Sequence, residues 1–201
     1  MKILAFTDIH GSLSALKRVE QKARVQNPDL LVCAGDVSIF EQGLISIMRK
    51  LNKLNKKIII IHGNHEDPHI FVKCAKLFKN ILFVHKKYLI IDNVVFLGYG
   101  GGGFSLVDGG FERIANNKFK QIIKKNKDKK IVLITHAPPY KTKLDELVDG
   151  HCGNKSIRYF VEKNKIDLLI CGHIHENFGK EDRINKAKVI NPCPFGKIIN
   201  L

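Results

Sequence analysis

The chain has 201 residues, of which 44% are hydrophobic and 26% charged, near the average for globular proteins. This length suits one domain, and no linker, internal repeat or low-complexity tract interrupts it, so the sequence predicts a single domain over residues 1–201. No apolar run approaches the roughly 18 residues of a membrane span, and the N-terminal segment lacks the pattern of a secretory signal. We therefore expect a cytoplasmic protein with no membrane-spanning helix.

The net charge and the cysteines bear on the binding partners and on disulfide or zinc sites. A net charge of +15 favours a polyanionic partner such as nucleic acid, because each neutralised phosphate releases counterions. Lysine is spread along the chain, however, and no stripe combines basic with aromatic residues, so we favour a compositional origin for the charge. The five cysteines are scattered without a Cys-x-x-Cys pair, which predicts small core residues rather than a disulfide framework or a zinc knuckle.

The first part of the chain alternates short apolar runs with segments of helical period. Apolar residues recur every three or four positions over residues 11–27, where Asn27-Pro28 supplies the stop, and again over residues 44–54. The runs typical of buried strands lie at residues 2–7, 30–34 and 58–61. This alternation predicts an α/β fold.

The middle of the chain departs from this alternation. Three β-like runs follow one another at residues 81–84, 88–91 and 94–97. The last two are joined by Asp92-Asn93, a pair that tolerates positive φ, which predicts a hairpin of a second sheet. A helical segment follows from residue 111 to about residue 127, and further strand-like runs lie at residues 131–135, 167–171, 187–190 and 197–201. Two sheets sandwiched between helices are therefore expected.

Polar side chains with metal-binding groups follow five of the predicted strands. Open α/β sheets place their sites at the carboxyl ends of strands, so the five strand ends can converge on one locus. The residues at these ends are Asp8 and His10, then Asp36, then Asn64, His65 and Glu66, then His136, and finally His173 and His175. Carboxylate, imidazole and amide oxygen together suit Mn²⁺, Fe or Zn²⁺.

Glycine stands directly before three of these candidates, Asp36, Asn64 and His173. Because glycine permits tight turns, we expect it to let the backbone leave the sheet with the next side chain facing the site. The other histidines, His62, His69, His85 and His151, are predicted to be structural or surface residues, and His62 is the best candidate for a core histidine.

The ordered motifs resemble the signature of the calcineurin-like metallophosphoesterase superfamily. Asp-x-His, Gly-Asp, Gly-Asn-His-Glu, His and Gly-His-x-His occur here complete and in order between Asp8 and His175. The segments His136-Ala137-Pro138-Pro139, Thr142-Lys143-Leu144-Asp145, Gly172-His173-Ile174-His175-Glu176 and Asn191-Pro192 are similar to a small microbial subgroup of that superfamily. The resemblance implies a four-layer α-β-β-α sandwich of two mixed sheets flanked by helices.

The resemblance also implies two divalent metal ions and a role for each motif residue. One metal would be held by Asp8, His10 and His175, and the second by Asn64, His136 and His173. Asp36 would bridge the two, and His65 would be the catalytic histidine, with Asn64 and His65 also contacting the substrate. Mn²⁺ is the expected metal, with Fe, Zn²⁺ or Ni as alternatives. A water acidified between the ions would attack the phosphorus in line.

Three features leave questions open. Asp36 is followed by Val37-Ser38-Ile39-Phe40 rather than by a further acidic residue, so what supports Asp36 is not evident, and the arginine-bearing motif of protein Ser/Thr phosphatases is absent. The glycine-rich stretch of residues 98–103 could form a phosphate nest, although a turn near the site is the favoured interpretation. Lys155 and Arg158 are equally compatible with substrate binding and with ordinary surface roles.

The leading hypothesis is a phosphodiesterase acting on a nucleotide or another small phosphodiester. A nuclease acting on DNA or RNA is the alternative that the basic charge favours, although the chain has little room for DNA-binding regions. A non-catalytic scaffold is the third hypothesis, because the retromer scaffold subunit has this fold. That subunit lacks the catalytic histidine, whereas His65 is present here. The oligomeric state stays open.

Overall fold

The structure is a computed structural model that describes all residues, 1–201. Its strands are β1 (Lys2–Phe6), β2 (Leu30–Cys33), β3 (Ile58–Ile60), β4 (Ile81–Phe83), β5 (Lys87–Ile91), β6 (Val94–Tyr99), β7 (Lys130–Thr135), β8 (Glu146–Leu147), β9 (Gly150–His151), β10 (Leu168–Ile170), β11 (Glu181–Ile184), β12 (Ala187–Ile190) and β13 (Lys197–Asn200). Its helices are α1 (Leu13–Gln26), α2 (Leu44–Asn52), α3 (Pro68–Ala75), α4 (Gly109–Ile114), α5 (Lys120–Lys125) and α6 (Lys155–Lys163). No helix is both long and apolar enough to span a bilayer.

Two mixed sheets form the centre of the fold. The first has the order β13-β1-β2-β3-β4, with β13 antiparallel to β1 and the other neighbours parallel. The second has the order β11-β12-β10-β7-β6-β5, with antiparallel pairs only at its two edges. Because β1, β2 and β3 are parallel, as are β7 and β10, the carboxyl ends of the strands within each sheet lie at one edge.

Alternation along the central strands divides the core into three layers. In β1, Leu4 and Phe6 pack with residues of α1, α2 and α3, whereas Ile3 and Ala5 face residues of the second sheet. In β7, Ile131 and Leu133 pack against α4, α5 and α6. Since side chains of a strand point alternately to opposite faces, each sheet has helices on one face and the other sheet on its opposite face. The predicted four-layer α-β-β-α sandwich is confirmed.

Local capping explains where the helices begin and end. Ser12 caps α1 through a hydrogen bond from the backbone N–H of Ala15, and Asn27 ends it with a left-handed φ of 42°. Asp67 caps α3 ahead of Pro68 at its first position, and Asn154 caps α6. The predicted stop at Asn27-Pro28 is therefore confirmed.

Most predicted strands occur within a residue or two of their expected ends, and the β5–β6 hairpin joins at Asp92-Asn93 as predicted. The helical segment predicted from residue 111 spans α4 and α5, with a π-helical turn over Ala115–Phe119 between them. Strand β11 was not predicted, because its charged sequence Glu181-Asp182-Arg183 lacks an apolar alternation. Its pairing with β12 at the sheet edge forms it, and such edges commonly carry charge.

Candidate metal centre

The loops that follow five strands meet at one place between the two sheets. They follow β1, β2 and β3 of the first sheet and β7 and β10 of the second. All seven residues predicted to bind metal lie in these loops and form one connected cluster of polar side chains: Asp8, His10, Asp36, Asn64, His136, His173 and His175. The structure therefore brings the predicted ligands together.

The first ligand group contains Asp8, His10 and His175. The Nε2 atoms of His10 and His175 lie 3.7 and 3.6 Å from Oδ1 of Asp8, and the two nitrogens are 3.1 Å apart. Side chains that converge to this extent can all reach one cation. A carboxylate with two imidazoles is a usual ligand set for a first-row divalent metal.

The second ligand group is centred on the buried side chain of His136. Its Nδ1–H donates to the carbonyl oxygen of Ala34 at 2.9 Å, which directs Nε2 towards the cluster. Nε2 then lies 2.9 Å from Oδ1 of Asn64 and 3.2 Å from Oδ2 of Asp36. Both neighbours are acceptor oxygens, so a proton or a cation is needed between them and the ring nitrogen.

His173 adds a further observation that fits a metal. The centroid of its ring lies 5.3 Å from that of His136. Its Nε2 atom is buried and has no hydrogen-bond partner in the protein. A buried nitrogen without a partner is costly unless something else satisfies it, and a divalent cation next to His136 would do so.

Asp36 lies between the two groups. Its Oδ2 atom is 3.7 Å from Nε2 of His10 and 3.2 Å from Nε2 of His136, while Oδ1 accepts a hydrogen bond from the backbone N–H of His65 at 3.0 Å. A carboxylate in this position can contact cations held by either group. The residues present therefore fit two divalent metals.

His65 stands at the edge of the cluster, half-buried. The centroid of its ring lies 5.1 Å from that of His10, edge to face. Its Nδ1 is buried without a hydrogen-bond partner. The hydrogen bond from its backbone to Asp36 holds this histidine next to the ligands.

Several residues of the site have strained backbone conformations of the same kind. Four of the predicted ligands have left-handed φ values although they are not glycine: Asp8 (52°), His10 (47°), Asp36 (51°) and His173 (72°). Such conformations cost free energy and persist where the surrounding structure enforces them, which is common at functional sites.

The three glycines that precede ligands act for two different reasons. Gly35 has a φ of 101°, as the predicted tight turn requires, and a Cβ there would in addition lie 2.7 Å from the backbone nitrogen of Gly63. Gly63 and Gly172 are needed for space instead, since a Cβ atom on Gly63 would overlap the Asp36 carboxylate and one on Gly172 would overlap the Thr7 hydroxyl. Neither has a positive φ, and the constraint that the structure shows for them is the close approach of a side chain from the loop after β2 or after β1.

Glu66 supplies the support for Asp36 that was not evident from the sequence. This buried carboxylate accepts hydrogen bonds from the backbone N–H groups of Asp36 (3.2 Å), Ser38 (2.8 Å) and Gly63 (2.9 Å), and from the Ser38 hydroxyl (3.1 Å). It thereby joins the loops after β2 and β3. The acidic residue missing after Asp36 is replaced by one that follows the next strand.

The pKa values of His136 and His173 are shifted in opposite directions. Burial opposes the charged forms of both Asp36 and His136, but their mutual hydrogen bond outweighs it, raising the pKa of His136 to about 9 and lowering the pKa of Asp36 to about 2. Burial and then repulsion from His136 lower the pKa of His173 to about 4. His173 is thus neutral and ready to bind a metal, whereas His136 must first lose a proton.

This difference predicts different effects of pH on stability with and without metal. In chelator-treated protein, the raised pKa of His136 contributes stability that is complete below its unfolded value of 6.5 and is lost as pH rises towards 9. A His136 that binds Mn²⁺ carries no proton, so in Mn²⁺-loaded protein its contribution to stability rises with pH through the unfolded pKa of 6.5 and is level above it. Urea unfolding midpoints, measured across this pH range with and without Mn²⁺, give the change of stability with pH for each form. Parallel slopes with and without Mn²⁺ would contradict the assignment of His136 as a ligand.

Lys155 and Arg158 do not contact the ligand cluster. The Lys155 ammonium lies 4.9 Å from the ring centroid of Tyr140. The guanidinium of Arg158 donates to the carbonyl of Lys141 at 2.8 Å and to Glu162 at 2.6 Å, which ties α6 to the loop after β7. Their part in substrate binding stays a prediction.

The remaining histidines lie outside the cluster. His62 is buried, as predicted for a core histidine, and its Nε2 lies 3.2 Å from Nδ1 of the half-buried His85. His69 and His151 are exposed, and His151 Nδ1 donates to Asp145 at 2.9 Å. None of the five cysteines is paired, and Cys33, Cys74 and Cys171 are buried core residues as expected.

Two aromatic side chains at the site were missed from the sequence. Phe40 and Phe104 are mostly exposed, and their rings lie against His65 and His173. The glycine-rich stretch leads into Phe104 and passes directly over the site, since a Cβ on Gly103 would lie 3.7 Å from Cβ of Asn64. In the sequence, each of the two is visible as an apolar residue in a loop beside a metal-binding motif.

Comparison with known proteins identifies the class. A family model described as calcineurin-like phosphoesterase matches residues 1–177, so the chain belongs to that family, as its motifs predicted. Members are divalent-metal-dependent phosphoesterases, and the protein is accordingly a metal-dependent phosphoester hydrolase by family.

Three individual proteins are similar to this chain. "Uncharacterized protein MJ1162" of Methanocaldococcus jannaschii is 33% identical over 205 residues, covering 96% of this chain and 88% of that protein. The crystal structure of TT1561 of Thermus thermophilus has a TM-score of 0.78 at 16% identity, covering 96% of this chain and 89% of that one. A dimetal phosphatase from Danio rerio has a TM-score of 0.69 at 12% identity, covering 94% and 86%. The two structures show a shared fold.

Proposed function

We propose that the protein is a dinuclear metal-dependent phosphodiesterase that hydrolyses a nucleotide or another small phosphodiester. The observation that carries the proposal is the position of Asp36 between two ligand groups, with Oδ2 3.7 Å from His10 Nε2 and 3.2 Å from His136 Nε2. Asp8, His10 and His175 would hold one metal, and Asn64, His136 and His173 the other. When bound, the two ions supply Lewis-acid polarisation of the phosphate and activation of water.

The protein's own groups supply the remaining chemistry. Asn64 is exposed at the site, so its amide can orient a phosphate oxygen. His65, held next to Asp36 by its backbone hydrogen bond, can protonate the leaving alkoxide. His65 could instead bind a phosphate oxygen, and the two roles predict different dependence on the leaving group.

The charge around the site supports a diester rather than a monoester. No lysine or arginine forms a hydrogen bond or ion pair with any of the seven ligands or with His65. A phosphate monoester carries one more negative charge than a diester near neutral pH, and sites for it usually supply additional fixed cations. A diester needs fewer such cations, which suits this site. Mn²⁺ as the metal and the cytoplasm as the location belong to this proposal.

A nuclease is the second candidate, and the net charge of +15 is the observation that favours it. Digestion of single- and double-stranded DNA and of RNA, with loss of cleavage in Asp36→Asn, would support it. A non-catalytic scaffold is disfavoured because His65 is present and lies beside the ligands.

Hydrolysis of two chromogenic esters tests the proposal. Chelator-treated protein should cleave neither bis-p-nitrophenyl phosphate nor p-nitrophenyl phosphate, and adding Mn²⁺ should restore cleavage with a preference for the diester. Asp36→Asn should lower the rate at least about a hundredfold, more than loss of a residue that only orients a ligand. The matched control Asp92→Asn makes the same change in the β5–β6 turn and should retain wild-type activity. A preference for the monoester would overturn the diesterase proposal.

A further inference from the structure

Phe40 and Phe104 lie at the mouth of the metal centre, each beside a different ligand group. The centroid of the Phe40 ring is 5.2 Å from that of His65, whose ring in turn contacts His10. The centroid of the Phe104 ring is 4.4 Å from that of His173, whose ring contacts His136. Two series of ring contacts thus lead from exposed aromatics to the ligands.

Neither ring is placed to stabilise the fold. Phe40 is 67% exposed and Phe104 is 64% exposed, so each forgoes most of the burial that makes phenylalanine stabilising. Phe40 also has a φ of 46°, a left-handed conformation that bulky side chains rarely adopt. Strain and exposure together in a residue next to a functional histidine indicate a role in binding.

Backbone hydrogen bonds fix the segments that carry both rings. The N–H of Phe40 donates to the carbonyl of His65 at 3.0 Å, which joins the ring's position to that of the histidine. On the other side, Asn154 donates to the carbonyl of Ser105 at 2.8 Å, and the N–H of Lys155 donates to that of Leu106 at 2.7 Å. The loop carrying Phe104 is therefore fastened to the start of α6. A segment whose backbone is already fixed loses less conformational entropy when a ligand stacks on its ring.

We infer that Phe40 and Phe104 are specificity residues, one on each side of the ligand cluster, and that a nucleobase of the substrate stacks on one of them. The inference rests on the proposed phosphodiesterase function and identifies its substrate class as nucleotide esters. A planar base matches a flat, exposed phenyl face, and stacking of a base on an aromatic side chain tolerates different bases. The polar ligand cluster separates the two rings, whereas a lipid chain would need a continuous apolar groove. Leu106 and Val107, exposed beside Phe104, make an alkyl ester the alternative to test.

Binding to Mn²⁺-loaded protein, measured by calorimetry, tests the inference. Adenosine 5′-monophosphate and ribose 5-phosphate share their phosphate, so their affinity ratio reports the base alone. The nucleotide should bind about five- to a hundredfold more tightly, the range expected for one stacked base. One of the two single variants, Phe40→Leu or Phe104→Leu, should lower this ratio, and the double variant should bring it near one, without changing the affinity for ribose 5-phosphate. Phe104→Tyr should retain it.

A control variant and further ester substrates distinguish failure of base stacking from failure of the phosphodiesterase function. Tyr159→Leu removes a ring that is 60% exposed on α6 and should leave the ratio unchanged. Equal binding of the nucleotide and the sugar phosphate by wild-type protein overturns the inference, as does octyl phosphate binding as tightly as the nucleotide. Hydrolysis of both methyl p-nitrophenyl phosphate and thymidine 5′-(p-nitrophenyl) phosphate without preference also overturns it but leaves the phosphodiesterase standing. Hydrolysis of neither ester overturns the proposed function instead.

Discussion

His65→Gln should lower kcat for a nucleoside diester about 10²- to 10⁴-fold while two metals stay bound. This is the range expected when a general acid is lost. The same variant should lose far less with bis-p-nitrophenyl phosphate, because p-nitrophenolate leaves readily without a proton. Parallel assays of the two esters, together with metal analysis of the purified variant, measure the effect.

Two other outcomes would contradict the role of His65 as an acid. Equal losses with both leaving groups would indicate that His65 binds a phosphate oxygen. Loss of one metal would indicate that it is a ligand, a role its geometry allows, since its ring nitrogens can converge with those of His10 and with the Asp36 carboxylate. His69→Gln, the same substitution at an exposed histidine outside the cluster, is the matched control.

Gly63→Ala should destabilise the protein strongly and impair metal binding. The added Cβ would overlap the Asp36 carboxylate and its backbone nitrogen, and neither can move without breaking the hydrogen bonds to Glu66 and His65. Overpacking of this kind typically costs about 1 to 3 kcal/mol and sometimes more. Alanine retains the N–H that Gly63 donates to Glu66, so the effect is steric. Urea unfolding and Mn²⁺ titration measure it.

Gly109→Ala provides the control for Gly63→Ala. Gly109 lies at the start of α4 with an ordinary φ and open space where a Cβ would lie. Its replacement should change the free energy of unfolding little or raise it slightly, because alanine is the better helix former. If Gly63→Ala were as stable and as metal-competent as Gly109→Ala, the close approach of the two loops would be refuted.

The fold and the ligands were predicted from local patterns in the sequence. Each central strand is a short apolar run that ends in a polar motif, and parallel strands necessarily bring such ends to one edge. Helix α1 was equally predictable, because its apolar period and its stop signal lie within one segment. The meeting of Asp8 with His175 followed from the order of the motifs and the family resemblance.

Features that depend on contact between distant segments were not predictable. Glu66 was visible as part of a motif, but only the packing of the β2 and β3 loops shows that it holds Asp36. Gly63 looked like a turn glycine, although a larger residue is excluded there by the side chain of Asp36, which comes from the loop after β2. Phe40 and Phe104 resembled ordinary apolar loop residues, since nothing in a single sequence distinguishes an exposed ring from a buried one.

We propose that hydrolysis requires two metals held by this cluster. Mn²⁺ titrated into chelator-treated protein, with bound metal and cleavage of bis-p-nitrophenyl phosphate followed together, tests it most directly. Activity should be absent at first and should reach its plateau at two bound ions per chain. Full activity before any metal is added, or a plateau at one ion per chain, would contradict the claim.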